Sequence, residues 1–169
     1  AFRLAALKNP ADTSARYYLG KIAFLEKKND EAIAELDAIA KYSTKELAAL
    51  GRQDGNFVPM IQFLVGKIVG GSGVTSVGGK RGMDSAIRFT RTLLEIDPRN
   101  VSEWNNLGLF CRDTGRAKEA YVAYRRALDL NPRDPRLLND TAVVLHYDLK
   151  SDDAEARPAV TRASRSAAP

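Results

Sequence analysis

Between Trp104 and Pro132 the sequence carries two helical stripes back to back, and few folds accommodate that pattern. Trp104, Leu107, Gly108 and Cys111 recur at three- and four-residue spacing and so share one face of a first helix. Asp113-Thr114-Gly115 supplies a turn in which glycine is free to take positive φ. Ala120, Tyr124 and Ala127 line one face of a second helix, and Asn131-Pro132 ends it, because the residue before proline avoids the α region. Small residues at Gly108 and Ala120 let the two helices approach closely, and Tyr124 fills the space beside them.

A shift of 34 positions finds the pattern again. Going back from Ala120, Tyr124, Ala127 and Pro132 gives Ala86, Thr90, Leu93 and Pro98, so residues 84–97 read as another second helix. Forward of the Trp104 helix come Leu138, Thr141, Ala142 and Leu145, a weaker copy. Near the front, Leu19-Gly20-Lys21-Ile22-Ala23 opens a further unit whose second helix carries Ala32, Leu36 and Ile39. Phe2, Ala5 and Pro10 stand where the tail of a still earlier second helix should lie.

Residues 47–83 break this register. Val65-Gly66-Lys67-Ile68-Val69 repeats the string at Leu19, which predicts a first helix over 59–70. The spacing from Gly20 to Gly66 exceeds the repeat by 12 residues, placed around Leu47 to Gly55 as a lengthened preceding helix or linker. A second excess of 8 residues falls in the glycine-rich run Gly70 to Gly79, read as a loop between two helices that normally meet in a tight turn.

With Trp104, Leu107, Gly108, Ala120, Tyr124, Ala127 and Pro132 in place, the chain resembles a tetratricopeptide-repeat protein, with Cys111 at the usual first-helix tyrosine. The resemblance implies an all-α solenoid: antiparallel helix pairs stacked in a right-handed superhelix whose concave side binds peptides or partner proteins. The units are a preceding second-helix tail at 1–12, a repeat at 13–46, an extension at 47–58, a repeat at 59–100 with its insertion at 70–82, the clearest repeat at 101–134, and a degenerate one at 135–162. Opening on half a repeat suggests a piece of a longer chain. Pro158 falls where a second helix needs its large aromatic, and a proline inside a helix costs about 3 kcal/mol. Residues 163–169 are small and polar, so a disordered tail is expected there, and uncapped ends suggest self-association.

Composition narrows the chemistry. No apolar run approaches the roughly 20 residues that span a bilayer. Lys plus Arg total 26 against 21 for Asp plus Glu, but the signs are interleaved rather than gathered in a stripe, which argues against a nucleic-acid binder. One cysteine excludes an internal disulfide framework and fits a reducing compartment, favouring the cytoplasm. One histidine leaves little for a transition-metal site.

No motif supports catalysis. From Gly73 the phosphate-loop spacing puts Gly78 in place, but Gly79 occupies the lysine position and Lys80-Arg81 comes one residue late. The dinucleotide fingerprint fails at Ser76. Cys111 lies on the core stripe and reads as a buried small hydrophobe, and His146 as a groove or surface residue with no relay around it. Asp148, Asp152, Asp153 and Glu155 do not fit a calcium loop. No cofactor and no metal are expected.

The resemblance places the binding groove on first-helix residues that face away from the second helix. By register these are Tyr17, Tyr18, Lys21, Phe63, Lys67, Asn105, Asn106, Leu109, Arg136, Asn139 and Val143. Aromatic and aliphatic groups there suit apolar side chains, and asparagine suits a peptide backbone because it both donates and accepts. The carboxylate clamp of the chaperone-binding members is incomplete: Asn106 and Arg136 match, but Tyr17 replaces its leading lysine, Lys21 its asparagine and Asp140 an arginine. The asparagine ladder of the sugar-transferase members is also broken, at Tyr18, Leu64 and Asp140. The expected function is therefore a non-enzymatic module that binds a peptide or protein partner, with a substrate- or partner-selecting region of a larger enzyme, secretion or regulatory protein as the alternative.

Overall fold

A computed structural model describes residues 12–70 and 80–148, and all regular structure among them is helical. The sequence expectations for residues 1–11, for the glycine run at 71–79, for Pro158 and for the tail at 163–169 lie outside the described residues. The chain divides into two compact units, Ala1–Pro98 and Arg99–Pro169.

The first unit begins with α1, Thr13–Leu25, and α2, Asn29–Tyr42. Asp12 caps α1 by accepting a hydrogen bond from the Ala15 amide at 2.9 Å, which satisfies one orphan donor of the first turn. In the α1–α2 turn the Lys27 amide donates to the Phe24 carbonyl and the Lys28 amide to the Ala23 carbonyl, a Schellman closure with Lys27 at φ 60°. The helices then meet at Gly20: a Cβ there would stand 2.7 Å from Leu36 Cγ.

The extra residues after α2 form a helix of their own rather than a lengthened α2. Ser43 is extended (φ −159°, ψ 113°), which ends α2, and its hydroxyl accepts from the Glu46 amide at 3.1 Å, which starts α3, Thr44–Gly51. Next come α4, Phe57–Gly70, and α5, Lys80–Ile96. Leu47 and Ala48 of α3 and Phe57, Ile61 and Leu64 of α4 are fully buried, and α5 packs against α2, α3 and α4. Ala86, Thr90 and Leu93 are buried in α5, as the 34-residue shift predicts. Gly66 in α4, unlike Gly20 in α1, meets nothing within 4 Å among the described residues.

Two polar links tie α5 to the rest of this unit. The Arg88 guanidinium donates to both oxygens of Asp37 on α2, at 2.6 Å and 2.9 Å, and Asp37 is buried. Arg52, just past α3, donates to the Glu95 carbonyl.

The second unit holds α6, Val101–Asp113, α7, Ala117–Leu130, and α8, Pro135–Val143, which runs into a π turn at Val144–Asp148. Asn100 and Asp134 cap α6 and α8, and Pro135 sits in the first turn of α8, where its missing N–H costs nothing. The α6–α7 turn repeats the Schellman closure, with Gly115 at φ 75° in the place of Lys27. Gly108 lies against the ring of Tyr124, Cys111 and Ala120 are fully buried, and half-buried Trp104 packs on Ala127, Leu128, Leu137 and Leu138. Those contacts make α6 and α7 antiparallel.

Candidate functional site

Exposed large apolar side chains stand on the first helices at Tyr18, Ile22, Leu25, Phe63 and Val69, and on the second helices at Tyr42, Val122 and Leu130. Within the first unit, α1 and α4 are brought together by aromatic contacts. Tyr17 lies beside Phe57 (ring centroids 6.0 Å), and Phe24 meets Phe63 edge-on at 5.7 Å. Lys67, one turn beyond Phe63, holds its ammonium 5.1 Å from the Phe63 ring centroid.

The connection from α3 to α4 reaches this face through Asp54. The Tyr17 hydroxyl donates to Asp54 Oδ2 at 3.0 Å, and Lys21 Nζ stands 2.5 Å from the same oxygen. Asp54 Oδ1 accepts from the Asn56 amide at 3.1 Å, an Asx turn that fixes the carboxylate. The hydrogen bond from Lys21 holds the Asp54 carboxyl below the usual carboxylate range against the opposing cost of burial. Burial, and then the bond to Asp54, pushes the Tyr17 phenol well above its ordinary value.

Tyr17 therefore does not belong to an open wall: it is 4% exposed, with its hydroxyl committed. Lys21 is half-buried and paired. Tyr18 (46% exposed), Phe63 (47%) and Lys67 remain open. Leu25, 71% exposed, and Ile22 extend the Tyr18 side of α1, and sequence reasoning passed over both. The spacing of Tyr18, Ile22 and Leu25 at i, i+4 and i+7 was the available signal.

In the second unit, Asn106 turns its amide toward buried Glu103, at 3.4 Å, and Asn105 has its carbonyl oxygen sealed with no donor among the described residues. Leu109 and Val143 are half-buried, whereas Arg136 and Asn139 on α8 are exposed. His146 is exposed and Cys111 is fully buried. Among the described residues no group of three or more His, Cys, Asp or Glu is placed to hold a metal ion, and no helix is long and apolar enough to cross a membrane.

The Asp54 contact predicts a pH effect. A carboxyl depressed in the folded state stabilises above its unfolded pKa, near 4, and that contribution is lost as pH falls through the lower folded value. Asp54→Asn should lower stability by about 1 kcal/mol at pH 7, since Lys21 is partly screened by solvent. The gap between variant and wild type, read from urea melts, should shrink steadily below about pH 4. A gap independent of pH would mean that the carboxylate is not charged in this contact.

Tetratricopeptide-repeat family models match residues 1–46 and 101–134. Curated relatives include photosystem I assembly proteins Ycf3. That of Rippkaea orientalis (strain PCC 8801 / RF-1) is 37% identical over 65 residues, 38% of each chain. That of Cyanophora paradoxa is 43% identical over 54 residues, 31% of each chain. That of Sorghum bicolor is 32% identical over 116 residues, 57% of this chain and 67% of the relative. The chain thus spans only about a third of the length of the first two. Among solved structures, TTC0263, a thermophilic TPR protein of Thermus thermophilus, is similar with a TM-score of 0.52 at 18% identity, over 98% of this chain and 79% of that one. A structure of MamA AMB-1 reaches 0.53 at 17% identity, over 93% and 92%. At such identities the likeness shows the fold alone.

Proposed function

Because this chain belongs to the tetratricopeptide-repeat family, whose members mediate protein–protein interaction, we propose that it is a non-enzymatic module that binds a peptide or partner protein on its first-helix faces. One observation carries the reading. Among the described residues of the first unit, the exposed large apolar side chains sit on its first helices, Tyr18, Ile22 and Leu25 on α1 and Phe63 and Val69 on α4, with Tyr42 at the end of α2 the exception. Apolar surface of that kind gains free energy only when something covers it.

On this reading the residues that meet the partner are Tyr18, Phe63 and Lys67 in the first unit and Arg136 and Asn139 in the second. Asn105, Asn106, Leu109 and Val143 support them, and Tyr17 and Lys21 act through the Asp54 contact. The relatives named for photosystem I assembly favour an assembly role, in which the module holds a subunit or another factor while a larger complex forms. The alternative, a partner-selecting region of a larger protein, uses the same faces.

The test is site-directed photo-crosslinking in lysate of the source organism. A photoreactive amino acid placed at Phe63 or Asn139 should trap a discrete protein partner. The same group at Val122, 57% exposed on the second helix α7, should trap none. Crosslinks confined to Val122 would move the binding surface to the second helices and overturn the reading.

A further inference from the structure

We infer that the α1–α4 face of the first unit selects a partner segment in which an aromatic or long aliphatic side chain stands next to a carboxylate. The inference rests on the proposed first-helix binding surface and names the chemistry of what docks there.

Charge is the first observation. Neither α1 (Thr13–Leu25) nor α4 (Phe57–Gly70) contains an aspartate or a glutamate, whereas together they carry Arg16, Lys21 and Lys67. Two of the three cations are already matched from outside these helices. Arg16 pairs with Glu35 of α2 at 2.8 Å, and Lys21 with Asp54 of the α3–α4 connection. Lys67 is exposed and makes no ion pair among the described residues; the contact it does make is with the Phe63 ring. Among the described residues the face therefore ends with one cation uncompensated. The first helices of the second unit differ, since α6 and α8 hold Glu103, Asp113 and Asp140 beside Arg112 and Arg136.

Geometry is the second. The Lys67 ammonium is held over the Phe63 ring, and Phe63 is packed edge-on against Phe24. A cation so placed keeps a defined position at the edge of an apolar surface, which lowers the ordering cost of meeting an anion. A carboxylate that reaches it must bring its neighbouring side chain onto the Phe24–Phe63 pair and toward Tyr18 and Leu25. A basic segment meets an unpaired like charge at the same point and is rejected. Asp54 sharpens the choice, because by occupying Lys21 it leaves a single anchor for a single acidic group.

The probes are three short fluorescein-labelled peptides with the same leucine and phenylalanine content, carrying glutamate, glutamine or lysine at the remaining positions, titrated by anisotropy against the 169-residue chain. The glutamate peptide should bind about three- to tenfold more tightly than the glutamine peptide, and the lysine peptide most weakly, with the differences shrinking as salt is raised. Lys67→Gln, at an exposed position, should abolish the glutamate preference with the thermal melt unchanged. Phe63→Ala should weaken all three peptides. Equal affinities for glutamate and glutamine peptides, or a preference that survives Lys67→Gln, would overturn the selection for an acid; weakening by Phe63→Ala would then still leave the first-helix surface standing. Failure of the glutamate peptide to bind at millimolar concentration overturns the inference outright. Binding of all three that is indifferent to Phe63→Ala overturns the binding surface as well.

Discussion

Gly108→Ala should destabilise the second unit by about 1–2 kcal/mol, although alanine is the better helix former by about 1 kcal/mol. A Cβ at this position would stand 2.6 Å from Cδ1 and Cε1 of Tyr124 and 2.8 Å from Cζ. The tyrosine ring is 1% exposed and has nowhere to retreat. Gly108→Leu should cost more, about 3 kcal/mol, and should separate α6 from α7. Gly66→Ala is the matched opposite: this glycine lies within α4 and meets nothing within 4 Å among the described residues, so the change should stabilise by about 0.5–1 kcal/mol. Urea melts followed by circular dichroism measure both. A stabilising Gly108→Ala would mean that α6 and α7 do not approach at this point.

Arg88→Ala is the second large effect, at about 3 kcal/mol. It strips a buried carboxylate, Asp37, of both its short hydrogen bonds. Lys41 stands 3.5 Å away, but its side chain is 61% exposed and offers a poor substitute. The cost comes from leaving the charge behind rather than from losing attraction, so Asp37→Leu combined with Arg88→Leu should recover most of it. A double-mutant cycle reads the coupling directly. A double variant whose loss equals the sum of the two single losses would show that Arg88 and Asp37 do not stabilise the fold through each other.

The helix pairs were legible in the sequence wherever burial and spacing agree. Trp104, Leu107, Gly108 and Tyr124 announce α6 and α7 because each occupies a position that only one side-chain size fits. Gly66 shows the limit of reading by likeness. Its five-residue string resembles that at Gly20, yet the buried face of α4 is carried by Phe57, Ile61 and Leu64, and Gly66 is exposed. The extra residues after α2 were visible as an excess, but the Ser43 cap that makes them a separate helix is a single hydroxyl in a polar stretch.

Register places Tyr17 on the inner wall, yet it is buried, with Phe57 beside its ring and its hydroxyl bonded to Asp54, 37 residues away. Asp37 and Arg88 are separated by 51 residues. Partnerships of that range leave no periodic trace in a sequence. Tyr18, Phe63 and Lys67 remained exposed as read, since nothing among the described residues comes back to cover them.

The chain has one sulfhydryl, and Cys111 encloses it completely between α6 and α7. A thiol-reactive dye cannot attack until those helices part, so its labelling rate becomes a clock for opening events in the second unit that ignores the first. No engineered reporter is needed, and a bound partner that tightens that hairpin would slow the clock.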